Sequence, residues 1–147
     1  MALLLGAALA ADGWTMWSAG PFEADFPPDA SREEDEGTVR GRDQGVFFEL
    51  AWGDLGPVGS AFTVVTTGRG RLCGKLARRS ELRGPPPPAR EVMTAAGPVG
   101  LPTEREWRLV IERRCRREPI RVTVGGPDTP ATRALAERFV AGVVCTG

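Results

Sequence analysis

The chain has 147 residues, 41% of them hydrophobic and 26% charged, enough for one core that buries roughly 70% of the unfolded surface. Nineteen basic residues, of which Lys75 is the single lysine, balance nineteen acidic ones, so no global field draws the protein to nucleic acid or an anionic membrane. There is no histidine and no tyrosine, which excludes Ser-His-Asp and Cys-His catalysis and removes the commonest general base and metal ligand.

Met1 to Asp12 opens with an apolar run, Leu3 to Ala10, that ends in Ala8-Leu9-Ala10. This fits the small-residue cleavage pattern of a secretory signal, without its basic leading region. Residues 1–11 are therefore expected to be a truncated signal segment, and residues 12–147 a single α+β domain. The run is far too short to cross a bilayer, and no later stretch is long and apolar enough, so no transmembrane segment is expected. Phe22, Ala24 and Phe26 alternate with Glu23 and Asp25 in a short strand that Pro27-Pro28 stops. Glu33-Glu34-Asp35-Glu36 lies in an acidic stretch without the spacing or central glycine of a calcium loop, and reads as a solvated turn. Thr38 to Arg42 and Val46 to Trp52 flank Asp43-Gln44-Gly45 as a hairpin.

Ala61 to Arg79 pulls two ways. Phe62 to Thr66 has strand propensity, yet a helix here would cover the sheet beside the C-terminal one. The expectation is a helix, despite Gly68 and Gly70 at about 1 kcal/mol each. Gly84 and Pro85 to Pro88 form a linker-like loop, Glu91 to Ala95 a further strand, and Gly97 to Gly100 a turn. The C-terminal stretch is the most regular. Trp107, Leu109 and Ile111 alternate with Arg108, Val110 and Glu112, a charged tip runs from Arg113 to Glu118, and Ile120, Val122 and Val124 form a return strand. Gly125-Gly126-Pro127-Asp128 breaks it. Thr129 then caps a helix with Pro130 in its first turn, and Ala131, Leu135, Phe139 and Val143 share one face. The fold class is thus α+β: an antiparallel β-sheet with a C-terminal helix and one further helix packed on it.

No catalytic, cofactor or metal site is legible. Gly68, Gly70, Gly74 and Lys75 approach the dinucleotide and P-loop patterns, but Cys73 stands where the dinucleotide pattern needs its third glycine. Arg69 and Leu76 occupy the P-loop's first glycine and its hydroxyl position. Arg113, Arg114, Arg116, Arg117 and Arg121 cluster at the hairpin tip as a candidate anion patch, guanidinium forks being suited to phosphate and carboxylate. No aromatic residue interleaves them, so nucleic acid is not the expected partner. Cys73, Cys115 and Cys145 are too widely spaced for local zinc pairs. The strand from Ile120 leaves the hairpin tip and the helix returns over a similar distance. Cys115–Cys145 is the favoured disulfide on that geometry, with Cys73–Cys145 second.

Trp14 before Phe22-Glu23-Ala24-Asp25-Phe26-Pro27 is similar to the Phe-x-Val-x-Phe-Pro opening of small bacterial exported domains with a PsbP-like or DcrB-like α/β/α sandwich. Trp52-Gly53-Asp54 at a strand end, Gly97-Pro98-Val99-Gly100, and Arg138-Phe139-Val140-Ala141 closing the helix add to that likeness. Pro28 and Ala141-Gly142 depart from the pattern. The resemblance implies a periplasmic or secreted binding or assembly role, with no shared catalytic site to carry over. The leading reading is a non-enzymatic binding domain of the bacterial envelope, its partner an unidentified envelope protein or small ligand. One alternative is an anion- or nucleic-acid-binding module working through the Arg113–Arg121 cluster. The other is a small hydrolase using carboxylates such as Glu49 and Asp54.

Overall fold

The structure, a computed structural model, describes residues 13–57, 61–85, 90–101, 105–115 and 118–146. The expected signal segment (1–11), the prolines at 86–88 and the tip arginines Arg116 and Arg117 lie outside them.

Two strands open the described chain, β1 (Thr15–Ala19) and β2 (Phe22–Phe26). Then come β3 (Ser31–Asp35), β4 (Thr38–Asp43) and β5 (Val46–Trp52). A long hairpin follows, β6 (Thr63–Leu72) and β7 (Lys75–Arg83), and a short one, β8 (Arg90–Thr94) and β9 (Gly97–Leu101). The C-terminal hairpin is β10 (Glu106–Cys115) and β11 (Glu118–Pro127). One helix, α1 (Pro130–Ala141), and a two-residue strand, β12 (Val144–Cys145), complete the chain. The main sheet has seven strands in the order β3-β4-β5-β11-β10-β7-β6, all antiparallel. A smaller sheet, β1-β2-β12, is separate, and β8 pairs with β9.

Alternation explains the layering. Phe48 and Leu50 of β5, Leu109 and Ile111 of β10, and Ile120, Val122 and Val124 of β11 point to one face, where each is essentially fully buried. The small sheet brings Phe22, Ala24 and Phe26 to that face, and α1 brings Ala136, Phe139 and Val140. Phe26, Phe48 and Phe139 meet there with ring centroids 4.9–6.4 Å apart, one ring from each of the three layers, and Trp17 stacks on Phe26 at 3.8 Å. Gly41 of β4 makes room for this group, because a Cβ there would sit 2.6 Å from the Phe26 ring.

The C-terminal hairpin and helix form as expected. Glu106 to Cys115 pairs residue by residue with Pro127 back to Glu118. The glycines at 125 and 126 continue β11 instead of breaking it, with Gly125 paired to Phe47 of β5. Thr129 caps α1, its hydroxyl accepting from the Thr132 backbone N–H at 3.2 Å. Just before it, the Asp128 carboxylate is held by both Arg83 and Arg133. Replacing Thr129 by alanine is expected to lower stability by about 1 kcal/mol, read as a drop in the urea midpoint with an unchanged slope.

The further helix is corrected. Residues 61–79 hold β6 and the start of β7, and among the described residues α1 is the one helix. Leu72-Cys73-Gly74-Lys75 makes the turn, with Cys73 at φ 55° and Gly74 at φ 75°. Both residues on the left-handed side is the two-residue geometry whose twist matches the flanking strands. Gln44 and Gly45 repeat it in the β4–β5 turn, the hairpin expected there. The acidic run read as a solvated turn is instead β3, an exposed edge strand paired to β4.

The favoured disulfide is also corrected: Cys145 bonds Cys73, with Cα atoms 5.4 Å apart. The helix does return the chain to the expected end of the sheet. Because β7 pairs antiparallel with β10, with Arg78 opposite Glu112, the β6–β7 turn lies at the same end as the β10–β11 tip. Cys73 stands in that turn, a position it could not hold in a helix.

Candidate arginine surface on the outer sheet face

The face of the main sheet turned away from α1 carries the charge. By register, Arg40 and Arg42 of β4, Phe47 and Glu49 of β5, Arg121 and Thr123 of β11, and Arg108 and Glu112 of β10 share it. Phe47 is its aromatic centre, with the guanidinium carbons of Arg40, Arg108 and Arg42 at 4.9, 5.2 and 5.9 Å from the ring centroid. Phe62 covers Arg108 from outside at 4.1 Å. Such stacking is worth about 0.5–1 kcal/mol per pair where exposed and more where water is excluded. Glu49 is tied to Arg40, whose Nε donates at 3.0 Å.

One row across this face stands out. Arg69 of β6 lies directly opposite Arg78 of β7, Arg78 opposite Glu112 of β10, and Glu112 opposite Arg121 of β11. Like charges directly opposite on neighbouring strands destabilise a sheet, and a single acid stands among three arginines. Arg121 is 8% exposed. Its Nη1 donates to the Gly56 carbonyl at 2.7 Å, while its Nε is buried without a partner among the described residues, as is the Nε of Arg108. Arg69 and Arg78 make no ion pair among the described residues. A shallow groove of about 410 Å³ runs over them, bounded by Leu76, Glu112 and Arg113. A second of about 280 Å³ continues it past Leu55, Arg114 and Pro119.

The expected tip patch is therefore divided. Arg113 borders both grooves, Arg114 is exposed on the outer row opposite Pro119, and Arg121 is buried. Arg69 and Arg78 were missed, although the turn at Cys73-Gly74 carries the signal: pairing Leu72 with Lys75 places Arg69 opposite Arg78 three steps later. Of the two carboxylates considered for hydrolysis, Glu49 is held by Arg40 and Asp54 is exposed beyond the end of β5. Among the described residues no group of three or more Cys, Asp or Glu is placed to hold a metal, and no helix is long and apolar enough to cross a membrane.

No family model and no curated protein matches the chain. Among solved structures, a crystal structure from Bacteroides thetaiotaomicron VPI-5482 is similar over 90% of this chain, with a TM-score of 0.54 and 10% sequence identity. The chain spans about half of that one, 47% of its length. The likeness concerns the fold alone.

Proposed function

We propose that the chain is a non-enzymatic binding domain of the bacterial envelope that holds an anionic group of its partner in the groove over Arg69 and Arg78. The observation that carries this reading is the pair of arginines set directly opposite each other with no counter-ion among the described residues. An anion lying between them converts a repulsion into two charge-assisted contacts, and guanidinium forks suit phosphate or carboxylate oxygens. Glu112 beside them sets a limit on the negative charge the groove accepts. The location is supported by the Cys73–Cys145 disulfide, since such bonds persist in oxidising compartments, and by the resemblance to PsbP-like exported domains.

Titration with a short inorganic polyphosphate at low salt, followed by calorimetry, tests it. Changing Arg69 and Arg78 together to glutamine should weaken binding at least about tenfold, the equivalent of about 1.4 kcal/mol. Arg42→Gln, on the far side of the face, should leave it unchanged. Equal affinity in the double variant, or no binding by the native chain, sinks the reading.

A further inference from the structure

The seven-stranded sheet has two open edges of opposite sign. At one lies β3, Ser-Arg-Glu-Glu-Asp, with all five residues exposed. Arg32 there is bonded to Glu34 and the Ser18 carbonyl and stacked over Trp17, Glu33 lies 3.7 Å from Arg42 of β4, and Asp35 makes no ion pair among the described residues. With three acids to one arginine, the edge is net acidic. At the other lies β6, exposed from Thr63 to Arg69 and carrying Arg69 and Arg71. Edge strands offer unpaired N–H and C=O groups to any strand that fits, and charge on an edge repels its own kind. Here each edge repels itself and attracts the other. The bulge between Val64 and Thr66 spoils the first part of β6 for pairing. That leaves Thr66 to Leu72, the arginine-bearing part, which is long enough to pair with all five residues of β3.

We propose that β6 of one copy of this chain pairs with β3 of a second copy, head to tail. All six steps of the strand order from β3 to β6 are antiparallel, so the two edge strands run in the same direction. Copies that keep their helical faces on the same side therefore join by a parallel pairing. Glu33 and Asp35 of one, which by register share the outer face, meet Arg69 and Arg71 of the next on that same face. This contact is heterologous and does not close on itself, so the sheet continues from copy to copy. An interface of one short strand pair is small, so the association is weak and reversible. Its attraction is screened within about 10 Å at 0.1 M salt.

Sedimentation equilibrium of the full chain decides this. The average mass should rise with protein concentration at low salt, and the dissociation constant should increase at least about tenfold on raising salt to roughly 0.5 M, where the screening length falls to roughly 4 Å. Arg69→Glu with Arg71→Glu, and separately Glu33→Arg with Asp35→Arg, should each give a monomer. Mixed in equal amounts, the two variants should associate again, each supplying the edge the other lacks, which an unfolded variant cannot do. The Glu33/Asp35 variant leaves the Arg69–Arg78 groove untouched, so its polyphosphate binding separates this assembly from the anion site. A native chain monomeric to about 1 mM, a weak limit for any specific contact, overturns the proposal. So does a Glu33/Asp35 variant that still associates alone, or a mixture that stays monomeric.

Discussion

Replacing Cys73 and Cys145 by serine is expected to destabilise the protein by about 4 kcal/mol, the loop-closure entropy released when a cross-link over 72 residues is lost. For a chain of this size the same loss lowers Tm by about 8–16 °C. The bond joins the β6–β7 turn to β12, and so ties the main sheet to the small one, to which α1 leads. Urea unfolding of the native chain with and without reductant should reproduce the difference, and the double serine variant should no longer respond to reductant. A shift below about 1 kcal/mol would mean that the unfolded chain is already constrained, or that the sheets hold each other without help.

Phe139→Ala should cost about 3–5 kcal/mol. Its ring is 1% exposed and meets Phe26 at 4.9 Å and Phe48 at 5.0 Å, so its removal opens a void where helix and both sheets converge. Collapse into that void is hindered because Phe48 belongs to a strand paired on both sides, with β4 and β11. Phe139→Leu, which keeps most of the volume, should recover a large part of the loss. A chemical denaturation series over the two variants measures both. An alanine variant as stable as the leucine one would show that the three layers are not coupled through this ring.

What could be read without coordinates followed from local rules that tertiary context does not overturn. Strict alternation through Trp107, Leu109 and Ile111, and through Ile120, Val122 and Val124, marks a strand face. Thr129 with Pro130 marks a helix start, and Asp43-Gln44-Gly45 a tight turn. The error at 61–79 came from letting an argument about covering a sheet outweigh Thr63-Val64-Val65-Thr66-Thr67, which prefers extended backbone. It hid the turn at Cys73-Gly74, and two consequences went with it: the partner of Cys145 and the opposition of Arg69 to Arg78. The acidic β3 was illegible for a different reason. A strand exposed on both faces has no apolar alternation to announce it, and its pairing is set by the Glu36-Gly37 turn and by β4. The burial of Arg121 was equally hidden, because it depends on the Gly56 carbonyl, 65 positions away.

The strands that join the two halves of the main sheet, β11 and β10, follow all its other strands in the chain. Until residues 106–127 have left the ribosome, β5 lacks its neighbour on one side and β7 on the other. Productive folding must then wait for contacts that close long loops, which slows collapse to the native arrangement. In a nascent chain of this topology the main sheet stays split into two unjoined parts until its last hairpin has emerged.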